Sequence, residues 1–247
     1  MTVIALQANP AILATVAHEL RGPLSALATA SELLERDFDL LDRGQTRQMV
    51  SSINRRALWL RGLVENLLCE ATAGDGHLRI RPQPVDLRVL VDEVGLLIEP
   101  LLRRESQRLR IRARLPSVVI GDERRLSQVV LNLLSNASKY AGVGSVIDVG
   151  IAMRAGRLRL TVGDRGPGVA ETRVNQLFQA YNRAGRTDGE GLGIGLSVVR
   201  SIIEAHHGEV GYTARTGGGS MFWFELEPLH EIEQREPVTA GRGKNGG

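Results

Sequence analysis

Gly189-Glu190-Gly191-Leu192-Gly193-Ile194-Gly195-Leu196 runs into a helix expected over residues 196–206. Glycines ahead of a helix N-terminus leave backbone amides open to an anion, and the helix dipole adds to the attraction. Two familiar phosphate-binding architectures use this device, and neither fits. No βαβ unit tipped by an acidic residue follows, as a dinucleotide site requires, and no Gly-Lys-Ser/Thr ends the run, as a P-loop requires. A glycine run alone is weak evidence for a ligand, so its meaning rests on what flanks it.

Around it the hydrophobic period alternates between helix and strand. Residues 86–103 are expected to be helical, 109–115 alternate like a strand, and 122–140 form a strongly amphipathic helix. Residues 146–153 and 157–162 read as strands joined by a turn at Ala155-Gly156, and 210–213 and 220–226 read as two more. This mixture predicts the α+β class, an α/β sandwich with helices on one face of a mixed sheet. From Glu231 the chain turns polar and ends in Gly241-Arg242-Gly243-Lys244-Asn245-Gly246-Gly247, which predicts a disordered tail.

The N-terminal part follows another period. Leu13, Ala17, Leu20, Leu24, Leu27, Ser31 and Leu34 alternate at spacings of four and three, an a/d seam on one helix over residues 11–36. After a polar break at 36–46, a second helix is expected over 45–73, with Met49, Ile53, Leu60, Leu63 and Leu67 on the same period. Val50, Ala57, Val64 and Leu68 widen its stripe. A two-helix hairpin is too thin to bury so wide an apolar face, and a symmetric dimer forming a four-helix bundle would bury it. Residues 72–84, with Gly74, Gly76, Pro82 and Pro84, have linker composition. The expected division is a helical hairpin over 1–75, a linker over 76–84, a sandwich over 85–229 and a tail over 230–247.

Composition narrows the function classes. The 247 residues are 43% hydrophobic, enough for packed cores. No run of about 18 apolar residues is present, so no transmembrane helix is expected. The uncharged start lacks a basic region and is interrupted by Gln7, Asn9 and Pro10, which argues against a signal peptide. Cys69 is the only cysteine, which excludes an intrachain disulfide and a cysteine-rich metal site and points to a cytoplasmic protein or fragment. A net charge of +3 with no aromatic residues among the basic ones gives no base-stacking platform, so no nucleic acid partner is expected. His77, His206, His207 and His230 show no metal-ligand spacing and read as structural or solvated.

Three further groups carry chemistry. In His18-Glu19-Leu20-Arg21-Gly22-Pro23-Leu24 the leucines hold the seam, so His18 sits beside it, with Gly22 on the same face and Glu19 about 100° away. Gly22 and Pro23 together cost a helix roughly 4 kcal/mol against alanine, and a bend there would open the imidazole to a partner. A surface histidine beside a tolerated kink fits the same heptapeptide. Asn132, Asn136 and Lys139 fall at i, i+4 and i+7 on one helical stripe. Carboxamides ending in an ammonium suit hydrated Mg²⁺ and a phosphate chain, although a solvated polar face has the same pattern. Asp164-Arg165-Gly166-Pro167-Gly168 follows a strand directly; the aspartate can accept from an exocyclic amine while the glycines let a ligand approach, or the segment is a plain turn.

The four groups, in this order, resemble the boxes of a bacterial sensor histidine kinase. Leu177-Phe178-Gln179-Ala180-Tyr181-Asn182-Arg183 fits that family's aromatic box, with Tyr181 where Phe is commoner, and Gly217-Gly218-Gly219-Ser220-Met221-Phe222 resembles its last glycine turn and strand. The resemblance runs from about Leu13 to Glu227. It implies an ATP-binding domain of the type shared with gyrase and heat-shock ATPases behind a dimerising hairpin. It also implies a protein histidine kinase that phosphorylates its own His18 and passes the phosphoryl group to an aspartate of a response-regulator receiver domain. By that resemblance His18 is the nucleophile and Glu19 the acid that helps remove its proton. Asn136 matches the Mg²⁺ ligand, Asn132 lies near the phosphates, Lys139 contacts phosphate and Tyr140 packs near adenine. Asp164 reads the adenine amino group, Gly166 and Gly168 allow close approach, and Gly191, Gly193 and Gly195 flank the phosphates as Leu196 opens the helix. A mobile lid is implied over 179–190, where Arg183 or Arg186 could neutralise phosphate charge. Gyrase-type relatives place a Glu base where Asn132 stands, so its absence favours transfer over hydrolysis.

Two features depart from the family. The fourth residue after the histidine, usually Thr or Asn and thought to position water for dephosphorylating the partner, is Gly22, which predicts weak phosphatase activity. Only 17 residues precede His18, so the expectation is an excised core or a chain whose input comes from a separate sensor module. An ATP-binding scaffold without useful transfer would be a degenerate relative, whereas every nucleotide-contacting position is intact here, and a phosphohistidine shuttle usually has a decayed nucleotide pocket. Neither defect is visible.

Overall fold

The computed structural model describes residues 10–73, 78–113, 117–182 and 192–229. Along the chain lie α1 (Pro10–Arg36), a 3-10 turn (Phe38–Leu40), α2 (Arg43–Ala73), β1 (Gln83–Asp86), α3 (Leu87–Arg104), β2 (Arg108–Ala113), β3 (Val118–Gly121), α4 (Glu123–Tyr140), β4 (Val146–Arg154), β5 (Arg157–Gly163), α5 (Glu171–Val174), α6 (Gly195–Ala205), β6 (Glu209–Ala214) and β7 (Ser220–Leu226). They form two compact units, Met1–Arg79 with Ala170–Ser201 and Ile80–Val169 with Ile202–Gly247. The expected tail, the segment 183–191, residues 114 and 115 of the strand expected over 109–115, and residues 74–77 of the stretch with linker composition lie outside the described residues.

In the first unit α1 and α2 pack against each other as a hairpin. Helix α1 runs without interruption through Gly22 and Pro23. Its heptad pattern splits by exposure: Leu20, Leu27 and Leu34 turn inward, whereas Ala17, Leu24 and Ser31 are exposed, Leu24 at 51%. On α2, Leu63 is buried and Met49, Ile53, Leu60 and Leu67 are half-buried, while Val50, Ala57, Val64 and Leu68 remain exposed. The seam expected from the sequence is therefore half filled within one chain. Helix α2 also starts two residues earlier than expected, at Arg43. Asp42 Oδ1 accepts from the Gln45 amide at 2.8 Å, and Gln45 Oε1 accepts from the Asp42 amide at 3.0 Å, a reciprocal cap that carries the helix across Gly44.

In the second unit a five-stranded sheet has the order β2-β4-β5-β7-β6, with β2 and β4 parallel and the other pairs antiparallel. Ile147, Val149 and Ile151 of β4, Leu158, Leu160 and Val162 of β5, and Phe222, Phe224 and Leu226 of β7 form its buried face. Helices α3 and α4 pack together, burying Leu90, Val91, Val94 and Ile98 from one and Leu126, Val130, Leu133 and Leu134 from the other. Burying each such side chain fully is worth about 1.5–3 kcal/mol, which makes α4 a rigid support for its polar stripe. The opposite face of the sheet is polar, with Arg110, Asp148, Arg159 and Glu225 in ion pairs. Strands β1 and β3, which the sequence did not reveal, pair antiparallel, Gln83 opposite Gly121. Gln83 and Pro84 fall within the stretch of linker composition, and their partners lie far along the chain.

Both ends of α4 are anchored by distant residues. At its start Asp122 caps the helix through Arg125 N–H at 3.1 Å, and the Asp122 amide donates to His206 Nε2 at 2.9 Å. His206 Nδ1 lies 2.7 Å from the Ile202 carbonyl, so the buried ring is neutral and donates from Nδ1. At the other end the buried Gln107 donates to Ser138 O at 2.9 Å and accepts from Ser138 Oγ at 2.7 Å.

Burial lowers the His206 pKa below the ordinary imidazole value; His207 adds to this, and the Ile202 carbonyl and Asp122 oppose it. Below about pH 6.5 the unfolded chain takes up a proton that the folded chain resists, so stability present above that pH is lost as pH falls. The thermal midpoint of the protein should drop between about pH 7 and pH 5.5, and His206→Gln, though less stable at pH 7, should flatten that slope. An unchanged slope in the variant would place the titrating group elsewhere.

Candidate functional site

In the second unit α4 presents the polar stripe expected of it. Asn132 and Asn136 are half-buried one turn apart, Lys139 is exposed and Tyr140 half-buried, while Leu133, Leu134 and Ala137 face the core. Lys139 Nζ lies 5.5 Å from the centre of the Tyr140 ring. The stripe is held because the buried leucines fix the rotation of the helix and Asp122 and Gln107 fix its ends.

Asp164 follows β5 and is 2% exposed. Its Oδ1 accepts from the Gly166 amide at 2.7 Å and the Ser220 amide at 3.2 Å, and its own amide donates to Ser220 O at 2.9 Å. Oδ2 has no hydrogen-bond partner among the described residues. One oxygen thus shapes the loop and the other is left as an acceptor. Two glycines make this arrangement possible. A Cβ on Gly166 would lie 2.3 Å from the Tyr140 carbonyl oxygen and 3.0 Å from Asp164 Oδ1, so the loop closes against the end of α4 only without a side chain. Gly219, at φ +109°, would place a Cβ 2.2 Å from the Asp164 carbonyl oxygen. Gly168 takes φ +74° and its Cβ position lies 3.4 Å from Gly219 O. Tyr140, Asp164, Gly166, Gly168 and the Gly217–Gly219 turn therefore meet at one place.

The donors on α4 suit a hard cation. Carboxamide oxygens at i and i+4 can offer one or two ligands to a Mg²⁺ that keeps its other positions for water and phosphate. Among the described residues no three His, Cys, Asp or Glu gather into a cage for a softer metal.

In the first unit His18 is exposed on α1, with Glu19 half-buried beside it. A Cβ on the exposed Gly22 would meet nothing within 4 Å, so no packing in the chain requires glycine there. Gly193, at φ +71°, would place a Cβ 2.8 Å from Asn182 O, and Gly195 begins α6 with Leu196 half-buried after it. Arg183, Arg186 and Gly191 lie outside the described residues. A contact that the sequence did not announce joins this region to the hairpin: Leu63 of α2 packs with Leu192 and Ile194, against Val16, Leu20, Leu67 and Tyr181. Ser197 Oγ donates to Glu70 Oε2 at 2.8 Å, and burial with Glu70 nearby raises the Tyr181 hydroxyl pKa.

Comparison with known proteins agrees with both halves of the chain. Residues 11–76 match the His Kinase A (phospho-acceptor) domain, and residues 121–230 match the histidine kinase-, DNA gyrase B- and HSP90-like ATPase family. The adaptive-response sensory kinase SasA of a Synechococcus species is 34% identical over 90% of this chain and 59% of its own length. Full-length ShkA, solved in complex with AMPPNP, is 31% identical with a TM-score of 0.62, over 88% of this chain and 46% of that one. The histidine kinase ThkA, solved in complex with the response regulator protein TrrA, shares the fold at 23% identity and a TM-score of 0.60, over 93% of this chain and 65% of that one. The chain spans less than two thirds of the length of the curated relatives it matches. With a phospho-acceptor hairpin followed by an ATPase-type sandwich, and the expected boxes in order along both, the chain belongs to the sensor histidine kinase family of two-component systems.

Proposed function

We propose that this chain is an ATP-dependent protein histidine kinase that phosphorylates His18 and passes the phosphoryl group to an aspartate of a response-regulator receiver domain. The observation that carries this reading most is Asp164, a buried carboxylate with one oxygen spent on its own loop and one left to accept from the adenine amine. Asn132, Asn136 and Lys139 are assigned to the phosphate chain, Tyr140 to the adenine edge, and Gly166 and Gly168 to close approach. Gly191, Gly193, Gly195 and Leu196 are assigned to the phosphate-binding glycine box, with Arg183 as a further cation. Asn136 would hold Mg²⁺, which would neutralise phosphate charge when bound.

In the reaction a His18 ring nitrogen forms a bond to the γ-phosphorus as the bond to the ADP oxygen breaks, and Glu19 takes up the proton leaving the ring. In the second step the phosphorus–nitrogen bond breaks as a receiver carboxylate oxygen attacks. Asn132 cannot deprotonate water, which favours transfer over hydrolysis. The complex of ThkA with a response regulator supports the choice of partner. We assign dimerisation and phospho-acceptance to residues 1–75 and nucleotide binding to 85–229, joined by the linker 76–84. A cytoplasmic location follows from the use of ATP and a receiver domain. The hairpin supports a homodimer, because Leu24, Val50 and Val64, with Ala26, Leu33 and Met49 lining a groove, leave apolar surface open in a single chain.

Three outcomes test this reading. With γ-labelled ATP and Mg²⁺ the protein should acquire acid-labile, alkali-stable label that His18→Gln and Asn136→Ala both abolish; label surviving in His18→Gln would assign the acceptor wrongly. Mixed with phosphorylated receiver and ADP, the protein should leave the receiver largely phosphorylated, because Gly22 offers no group to position water; rapid dephosphorylation would refute that role. By light scattering the protein should be a dimer and Leu24→Glu/Val64→Glu a monomer, whereas an unaltered dimer in the double variant would place the interface elsewhere.

A further inference from the structure

Arg215 stands at the end of β6, ahead of the Gly217–Gly219 turn. Its guanidinium Nη1 donates to the Asp164 carbonyl oxygen at 3.3 Å, and its Nη2 reaches Asp148 Oδ2 at 2.5 Å. Asp148 is also held by Arg110 from β2, Nε to Oδ1 at 2.5 Å. The Arg110 guanidinium, with Arg215 behind it, keeps the Asp148 carboxyl below the usual carboxylate range. The side chains of Arg215 and Asp148 are 15% and 20% exposed, so the pair is largely shielded from solvent. Arg215 closes the neighbouring turn as well: its amide donates to Gly219 O at 3.1 Å and its carbonyl accepts from Gly218 N–H at 3.0 Å.

These contacts converge on one residue. The Asp164 amide and Oδ1 are bound by the start of β7, but its carbonyl oxygen is bound by the Arg215 side chain. The following peptide runs close against Gly219, where a Cβ would lie 2.2 Å from this carbonyl oxygen and 2.9 Å from the Arg165 Cα, and the Arg215 side chain supplies the hydrogen bond that this carbonyl accepts there. We infer that Arg215, braced on Asp148, is a positioning residue for Asp164 and sets how strongly the site prefers an adenine over a guanine nucleotide. This rests on the reading of Asp164 as the acceptor for the adenine amine. A carboxylate oxygen attracts the 6-amino group of adenine and repels the 6-oxo group of guanine, so the discrimination depends on where that oxygen points. Arg110 provides the contrast: it binds the same Asp148 without touching Asp164.

The test is displacement of a fluorescent ATP analogue by ATP and by GTP, with Mg²⁺, in the full chain. Arg215→Met should lower the ATP-to-GTP preference about tenfold, the scale of a lost hydrogen bond to a charged group. Arg215→Lys should restore part of it, because an ammonium can reach Asp148 but cannot fork to both oxygens. Arg110→Met should keep the wild-type preference even if it lowers the thermal midpoint as much as Arg215→Met does. A role confined to stability would move the midpoint in both variants and the preference in neither, and that result would overturn the inference. Asp164→Asn separates the two levels. Preference lost there but intact in Arg215→Met removes the Arg215 role alone, whereas preference intact in Asp164→Asn removes the reading of Asp164 and the inference with it.

Discussion

The Asp164 carboxylate is the constraint on which the second unit turns. A carboxylate at 2% exposure is costly unless its lone pairs are met, and two backbone amides meet those of Oδ1. Those amides belong to Gly166 and Ser220, so the loop after β5 and the start of β7 are locked to each other through it. The lock then dictates glycine at Gly166 and Gly219, where the chain passes too close to the Tyr140 and Asp164 carbonyl groups for a side chain. A motif that looks like loose loop composition is thus the steric consequence of one buried charge.

The same economy of contacts governs α4. Its leucines set which way the helix faces, but its position along its own axis is set at the ends. The Asp122 amide is taken by His206, and the last carbonyl groups are taken by Gln107. Orphan amides and carbonyls at helix ends need partners in any case. Drawing them from His206, just past α6, and from Gln107, just before β2, ties the Asn132–Asn136–Lys139 stripe to the segments that enter the sheet. A helix whose end groups were met by water alone would leave that stripe free to shift with the loops around it.

Local pattern explains what was legible in the sequence. The hairpin helices, α3, α4, β4, β5 and β7 each bury one face of a regular period, so a single segment declares itself. Asn132, Asn136, Asp164 and the glycines stood out through the order in which their groups follow one another, since each spacing alone also fits a polar face or a plain turn. His206, Gln107 and Arg215 were not, because each acts across the chain, on residues 84, 31 and 51 positions away. Nothing near them in sequence marks them. Strands β1 and β3 escaped for the same reason: Gln83-Pro84 has linker composition, and only its pairing with Ile120 and Gly121 makes it a strand. The early start of α2 was hidden by Gly44, since the reciprocal cap of Asp42 and Gln45 outweighs one poor helix former.

The division of chemistry between the two units has a physical logic. In the proposed reading the nucleotide residues of α4 are amides and an ammonium, and none of them is a base strong enough to activate water. The carboxylate assigned to proton removal, Glu19, is placed instead beside the nucleophile on α1, as its immediate neighbour on the same turn. A bound nucleotide then lacks a base until His18 brings one with it. The exposed face around His18, where even Gly22 leaves open space, suits a side chain that must be reached first by a nucleotide and afterwards by a receiver domain. Burying His18 in the hairpin core would cost the desolvation of its imidazole and, in the proposed reading, close the group that both partners need. The apolar positions around it carry the packing, and an exposed histidine one residue off the seam is what the proposed acceptor role calls for.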